Sequence, residues 1–230
     1  MGIPSDEQFT LITDYEAGSA FSESYRTLYV NIRSIWDHDA TEASTPQYHT
    51  LLIATPTAYA DYTAVAANLA IVSAQSGTPT ILVDADLRNP RLQQRFGLSQ
   101  SAGLVELLAE EVITPQKVDS YLQTTFVPAL RLLCAGMAKA QGSAPLLSPR
   151  LEEMLCHMRC LVEEQESKTG IVIFHSPPVL SSAAASLIGE LVEQTFLTIA
   201  TGYTTRTQAK QAQEQLQRAH VKLAGIIMFE

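Results

Sequence analysis

Long apolar runs are missing from this sequence of 230 residues: stretches such as "TILV" and "IVIF" fall far short of the roughly 20 residues that span a bilayer. The opening "MGIPSDEQFT" lacks the basic-then-apolar pattern of a secretory leader, so the expected setting is the cytoplasm. Cysteine is scarce too. Three cysteines make no disulfide framework, and Cys156 and Cys160, which flank His157 in "LCHMRC", have no second cluster to complete a metal site. Positive charge is in deficit, with 15 Lys and Arg against 24 Asp and Glu and a net charge of −9. That balance argues against a protein that holds nucleic acid by neutralising phosphates, and against direct adhesion to an anionic membrane surface.

What is present is a series of short β-branched strands alternating with helices. Residues 1 to about 18 are polar and aperiodic and are expected to form a flexible arm. "SAFSESYRTLYVNIRSIWDH" carries Phe21, Tyr25, Leu28, Ile32 and Ile35 at helical spacing, with Ser22 available as an N-cap, and "DATEASTPQ" reads as a linker. "TLLIAT", "PTILVDAD", "ALRLLCAG", "GIVIFHS", "TFLTIAT" and "LAGIIMF" read as six strands. Between them lie helical segments, among them "TAVAANLAIVSAQS", which Gly77 would end, and "SPRLEEMLCHMRCLVEEQES", with Ser148 and Pro149 at its start. The strands show no polar alternation, so both faces should be buried. The expected fold is α/β, a doubly wound, mostly parallel sheet with helices on both faces, in one domain over residues 19–230. Ligands of such sheets sit beyond the carboxyl ends of the strands.

Two strand exits carry the chemistry. In "ILVDADLRNP", Asp84 and Asp86 leave a buried strand one residue apart and so share a side of the backbone. The pair suits a divalent cation or a proton-accepting carboxylate; it equally suits a turn aspartate beside a helix-capping one. In "LLIATPTAYADYTAVAANLA", a loop joins strand to helix where a phosphate-binding loop would lie, without a glycine or a lysine in it.

These segments, with "ESYRTLYVNIR", "LLCAGMAKAQGSAPLLSPRLEEML" and "SPPVL", resemble in order the bacterial tyrosine kinases of capsule and exopolysaccharide assembly. These BY-kinases are P-loop proteins of the MinD/ParA-like class. The resemblance implies a P-loop NTPase-like fold and an ATP–magnesium site, and it assigns positions. The Walker A lysine position holds Tyr62, its glycines fall at Pro56 and Asp61, and the magnesium-binding hydroxyl survives as Thr63. Asp84 and Asp86 match the Walker A′ element. His175 replaces the Walker B aspartate, Ala184 the aspartate after the double proline, and Phe229 the asparagine that touches the base.

Glycines let successive N–H groups face phosphates, proline has no N–H, and tyrosine supplies no cation for the β and γ phosphates. Asp61 is expected to repel phosphate. The sequence thus predicts a degenerate site with vestigial Asp84 and Asp86 and no cofactor; ATP and Mg²⁺ would serve only an active form, with Thr63, Asp84 and Asp86 as metal ligands and a cation such as Arg88. His175 with the two aspartates would suit only a softer metal.

The family's E-x-x-R-x-x-R helix, which docks subunits into rings, reads Glu23, Arg26 and Tyr29, with Arg33 one turn on. Tyr59 and Tyr62 are candidate targets of an active partner kinase. The expectation is a regulatory or scaffolding subunit of polysaccharide synthesis. Its partners would be a membrane co-polymerase or its cytoplasmic tail, an active paralogue, or copies of itself in a ring, with recruitment to the inner face of the plasma membrane through a partner.

Overall fold

The structure, a computed structural model, describes residues 11–16, 18–39, 47–59, 61–137, 143–163 and 169–229. Residues 1–10 of the expected arm, most of the linker and the segment after the long helix lie outside them. Seven strands, β1 (Gln47–Ala54), β2 (Thr80–Asp84), β3 (Gln123–Thr124), β4 (Leu130–Leu133), β5 (Thr169–His175), β6 (Gln194–Ala200) and β7 (Leu223–Phe229), form one sheet in the order β3-β4-β2-β5-β1-β6-β7. All neighbours run parallel except β3 against β4. The doubly wound sheet expected from the unalternating strands is therefore present, and the residue pair of β3, too short to show a period, is added at one edge.

Helices cover both faces. On one lie α1 (Ala20–Asp39), α2 (Ala64–Gln75) and α3 (Leu92–Arg95); on the other α4 (Leu104–Ala109), α5 (Pro115–Tyr121), α6 (Arg150–Glu163), α7 (Ala184–Gly189) and α8 (Arg206–Arg218). Every residue of α2 from Val65 to Ala74 is buried, as its apolar composition requires. It ends as the sequence indicates: Gly77 adopts φ +82°, its N–H donates to Ala74 O at 2.9 Å, and Thr78 N–H donates to Ser73 O at 3.2 Å.

Two expectations at the N-terminal side are corrected. Leu11 and Ile12 are not part of a polar arm but are 4% exposed, in a 3₁₀ turn over Ile12–Asp14, and the Ile12 amide donates to Asn68 Oδ1 of α2 at 2.8 Å. Burial of two aliphatic side chains plus that bond holds the segment against the domain. In α1 the cap is Ser19, whose Oγ accepts the Ser22 amide at 3.2 Å; Ser22 is itself buried, its hydroxyl donating to Glu16 O at 3.1 Å.

The register places the site. Ile53 of β1 and Asp84 of β2 both pair with His175 of β5, so three central strands end side by side. The loops that follow them converge there. Among the described residues no helix is long and apolar enough to cross a membrane.

Candidate functional site

Beyond β2 the chain turns sharply, and both aspartates hold that turn. Asp84 accepts the Asp86 amide on Oδ1 at 3.2 Å and the Leu92 amide on Oδ2 at 3.1 Å. Asp86 Oδ1 accepts the amides of Arg88 and Asn89 at 3.3 and 3.1 Å. The turn-and-cap alternative for this pair is thus the arrangement observed. Asp84 is fully buried, and desolvation pushes its carboxyl up to about 7.

The other carboxylate oxygen, Asp86 Oδ2, takes the hydroxyl of Tyr62 at 2.5 Å. Asn89 Nδ2 donates to the same hydroxyl at 3.3 Å. Tyr62 is 3% exposed, so it is no free target for a partner kinase, and burial followed by the Asp86 charge raises its pKa further above the usual tyrosine range. The phenol at position 62 therefore donates its only proton in a hydrogen bond to the Asp86 carboxylate.

The rest of the loop is also self-paired. Asp61 forms an ion pair with the buried guanidinium of Arg95, a residue the sequence reading passed over. Asp61 is therefore a neutralised anion rather than a free one. Arg95 Nε donates to Thr63 Oγ1 at 3.1 Å, and Thr63 donates on to Asp61 at 3.3 Å. Burial lowers the Arg95 pKa to about 10 and leaves it charged near neutrality. Its signal in "PRLQQRFG" was spacing: Arg95 lies three residues after Leu92 on α3 and beside the C-cap Phe96, all three buried, and a cation on a packed face needs an anion.

The backbone follows the side chains. Among the described residues the only non-glycine positions with positive φ are Ala129 and His220, so no described loop position from Pro56 to Thr63 adopts the conformation that lines up N–H groups on a phosphate. Pro56 is buried and its carbonyl accepts the Leu180 amide at 3.2 Å. These residues do not fit a magnesium-bound triphosphate. The Thr63 hydroxyl is engaged on both sides, and Asp86 Oδ2 is occupied by Tyr62.

His175 is 1% exposed, with neither ring nitrogen hydrogen-bonded among the described residues, and its ring centroid lies 5.4 Å from that of Tyr62. Desolvation lowers its pKa to about 4. It does not join Asp84 and Asp86 as a ligand set: among the described residues there is no group of three His, Cys, Asp or Glu placed to hold a metal ion. The Cys156, His157 and Cys160 cluster gives none either. His157 Nε2 lies 3.2 Å from Ile113 O.

Ala184 is buried at the start of α7, away from any polar role. Phe229 stands at the end of β7 with its ring centroid 5.3 Å from that of Tyr59, itself 6.0 Å from Tyr62. Of the proposed interface residues, Glu23 and Arg26 pair at 2.5 Å on the surface of α1, and Arg33 is exposed. Tyr29 is corrected: it is 4% exposed and shares a 2.8 Å hydrogen bond with the Thr78 hydroxyl, so it packs inward and cannot face a neighbour.

No protein-family model matches the chain. The fold is the one seen in P-loop ATPases of MinD type. The solved MinD protein of Pyrococcus horikoshii OT3, complexed with Mg-ADP, superposes with a TM-score of 0.60 at 17% identity over 79% of this chain and 70% of its own. A solved structure titled "BceF Tyrosine Kinase Domain" superposes better, with a TM-score of 0.74 at 27% identity over 95% of this chain and 81% of its own. In sequence the chain is 31% identical to the tyrosine-protein kinase YwqD of Bacillus subtilis (strain 168) over 221 residues, 96% of this chain and 86% of YwqD. The chain belongs to the bacterial tyrosine-protein kinase family. Against the longer relatives from Ralstonia it spans 20% of their length.

Proposed function

We propose that this chain is a non-catalytic member of the family, serving as a regulatory or scaffolding subunit in polysaccharide synthesis or export. The observation that carries the reading is the Tyr62 hydroxyl seated on Asp86 at 2.5 Å, a side chain placed where the family resemblance puts the lysine. The Arg95, Asp61 and Thr63 network supports it, because it satisfies internally the groups that would otherwise turn to a nucleotide. A scaffold that keeps the fold while its site closes on itself does its work through surfaces. The partners proposed are the cytoplasmic tail of a membrane co-polymerase, which would bring the chain to the inner face of the plasma membrane, and an active family member, with ring assembly through Glu23, Arg26 and Arg33.

The alternative is an atypical active kinase or ATPase using ATP and Mg²⁺ at Thr63, Asp84 and Asp86. It requires the Tyr62 contact to break and the Thr63 hydroxyl to be released. Phosphate release and tyrosine phosphorylation assays on the parent and on Asp86→Ala separate the two. The scaffold reading expects no turnover in either. Turnover in the parent that Asp86→Ala abolishes would establish the enzyme instead.

A further inference from the structure

Between α1 and the exits of β6 and β7 lies a cavity of about 950 Å³, at the upper end of the range of small-molecule clefts. Two groups of aromatic rings line it. On the α1 side Tyr15 stacks on Phe21 with centroids 4.3 Å apart, and Phe21 meets Tyr25 edge-on at 5.2 Å. On the strand side Tyr59 packs against Phe229 at 5.3 Å and against Tyr203 at 6.4 Å. Helical spacing sets what stands beside the rings. Positions 21, 25 and 28 of α1 form an apolar stripe, and positions 24, 27 and 31 form the stripe next to it, carrying Ser, Thr and Asn. The charged residues Glu23, Arg26 and Arg33 of the same helix do not line the cavity. In a chain that is 17% charged, Asp61 is the one charged residue in the lining among the described residues, and it is already paired with Arg95. A phosphate or carboxylate entering here finds no unshared counter-ion in the lining, and a cation finds an anion already neutralised.

We propose that this cavity binds an uncharged oligosaccharide. A pyranose ring presents a face of weakly polarised C–H groups, which suits the electron-rich face of an aromatic ring, and a rim of hydroxyls, which need both donors and acceptors once desolvated. The lining supplies both. Threonine hydroxyls and the Asn31 amide donate and accept, and the Ser24 hydroxyl, which donates to Phe21 O at 2.7 Å, keeps lone pairs for a sugar hydroxyl. A wholly apolar ligand would cover the polar stripe of α1 without giving it partners, at a cost in desolvation. The volume has room for more than one sugar ring. The chemistry of the ligand is argued from the lining alone; its source, a short segment of the polymer or a neutral precursor, rests on the polysaccharide reading above.

Titration of the full chain with maltotriose, cellotriose and mannotriose, followed by the amide signals of the protein in heteronuclear NMR, tests it. At least one is expected to bind saturably with a Kd on the order of 1 mM, and a galacturonic acid trimer, of similar size but carrying carboxylates, to bind roughly tenfold more weakly. Tyr203 is 70% exposed, so Tyr203→Ala removes a ring of the lining without opening the core. It should weaken sugar binding about fivefold or more, as should Asn31→Ala, while Tyr203→Phe and the distant, exposed Val112→Ala keep the parent affinity. Four results would overturn the proposal: no binding by any of the three sugars, binding indifferent to both Tyr203→Ala and Asn31→Ala, tighter binding of the charged trimer, or adenosine binding more tightly than every sugar. Absent sugar binding in a chain without turnover removes this inference and leaves the scaffold reading in place; sugar binding by a chain that turns over ATP does the reverse.

Discussion

Tyr62 is the residue around which the candidate site is built. Its ring fills the space beside His175 and its hydroxyl meets Asp86 and Asn89 inside the protein. Tyr62→Phe leaves the Asp86 oxygen without its donor, and a loss of about 1–3 kcal/mol in denaturant unfolding is expected. The two buried titratable groups nearby make a pH prediction. The Asp84 pKa is raised from 3.8 to about 7, so the folded chain holds a proton the unfolded chain has released, and this group's contribution falls as pH rises through that window. The His175 pKa is lowered from 6.5 to about 4, so the unfolded chain holds the extra proton, and stability is lost as pH falls through that range. The slopes oppose each other. Relative to the parent, Asp84→Asn should gain stability with rising pH across the shared window and His175→Asn should lose it, each by up to about 1.4 kcal/mol per pH unit, read from urea midpoints at several pH values. Equal pH profiles in all three proteins would count against both assignments.

At the scale of elements, the strands and long helices were legible because each carries enough residues to show its period or its burial. β3, with two residues, and the 3₁₀ turn at Ile12 were not. α1 shows what spacing leaves open. Position 29 matches an interface motif in sequence, but a tyrosine there rotates onto the packed face with Ile32 and Trp36 and bonds Thr78. Tyr29→Phe should therefore cost about 1 kcal/mol in thermal or denaturant unfolding and leave any assembly unchanged. Arg26→Ala, on the exposed side, should leave stability within a few tenths of a kcal/mol while altering any ring formed through α1 in light scattering. The reverse pattern would return Tyr29 to the interface.

For the whole molecule, the sequence marked the strand exits at Ile53, Asp84 and His175 as the place to read for a site, and the register sets those three side by side. It did not show what fills the site. Arg95 comes from α3, more than 30 residues after the loop, and nothing local marks it as the counter-ion of Asp61; Asn89 likewise joins Tyr62 only through the turn after β2. The consequence is a network of hydrogen bonds and one ion pair spread over the loop, the β2 turn and α3. One substitution should not open a phosphate site: Tyr62→Lys leaves Pro56, which donates no N–H, and a loop whose described residues lack positive φ. The direct measurement is isothermal titration of ATP into the purified chain with and without magnesium. A flat titration in both conditions is expected, for the parent and for Tyr62→Lys; saturable, magnesium-dependent binding by the parent with a Kd on the order of 10 μM or tighter would contradict the closed site.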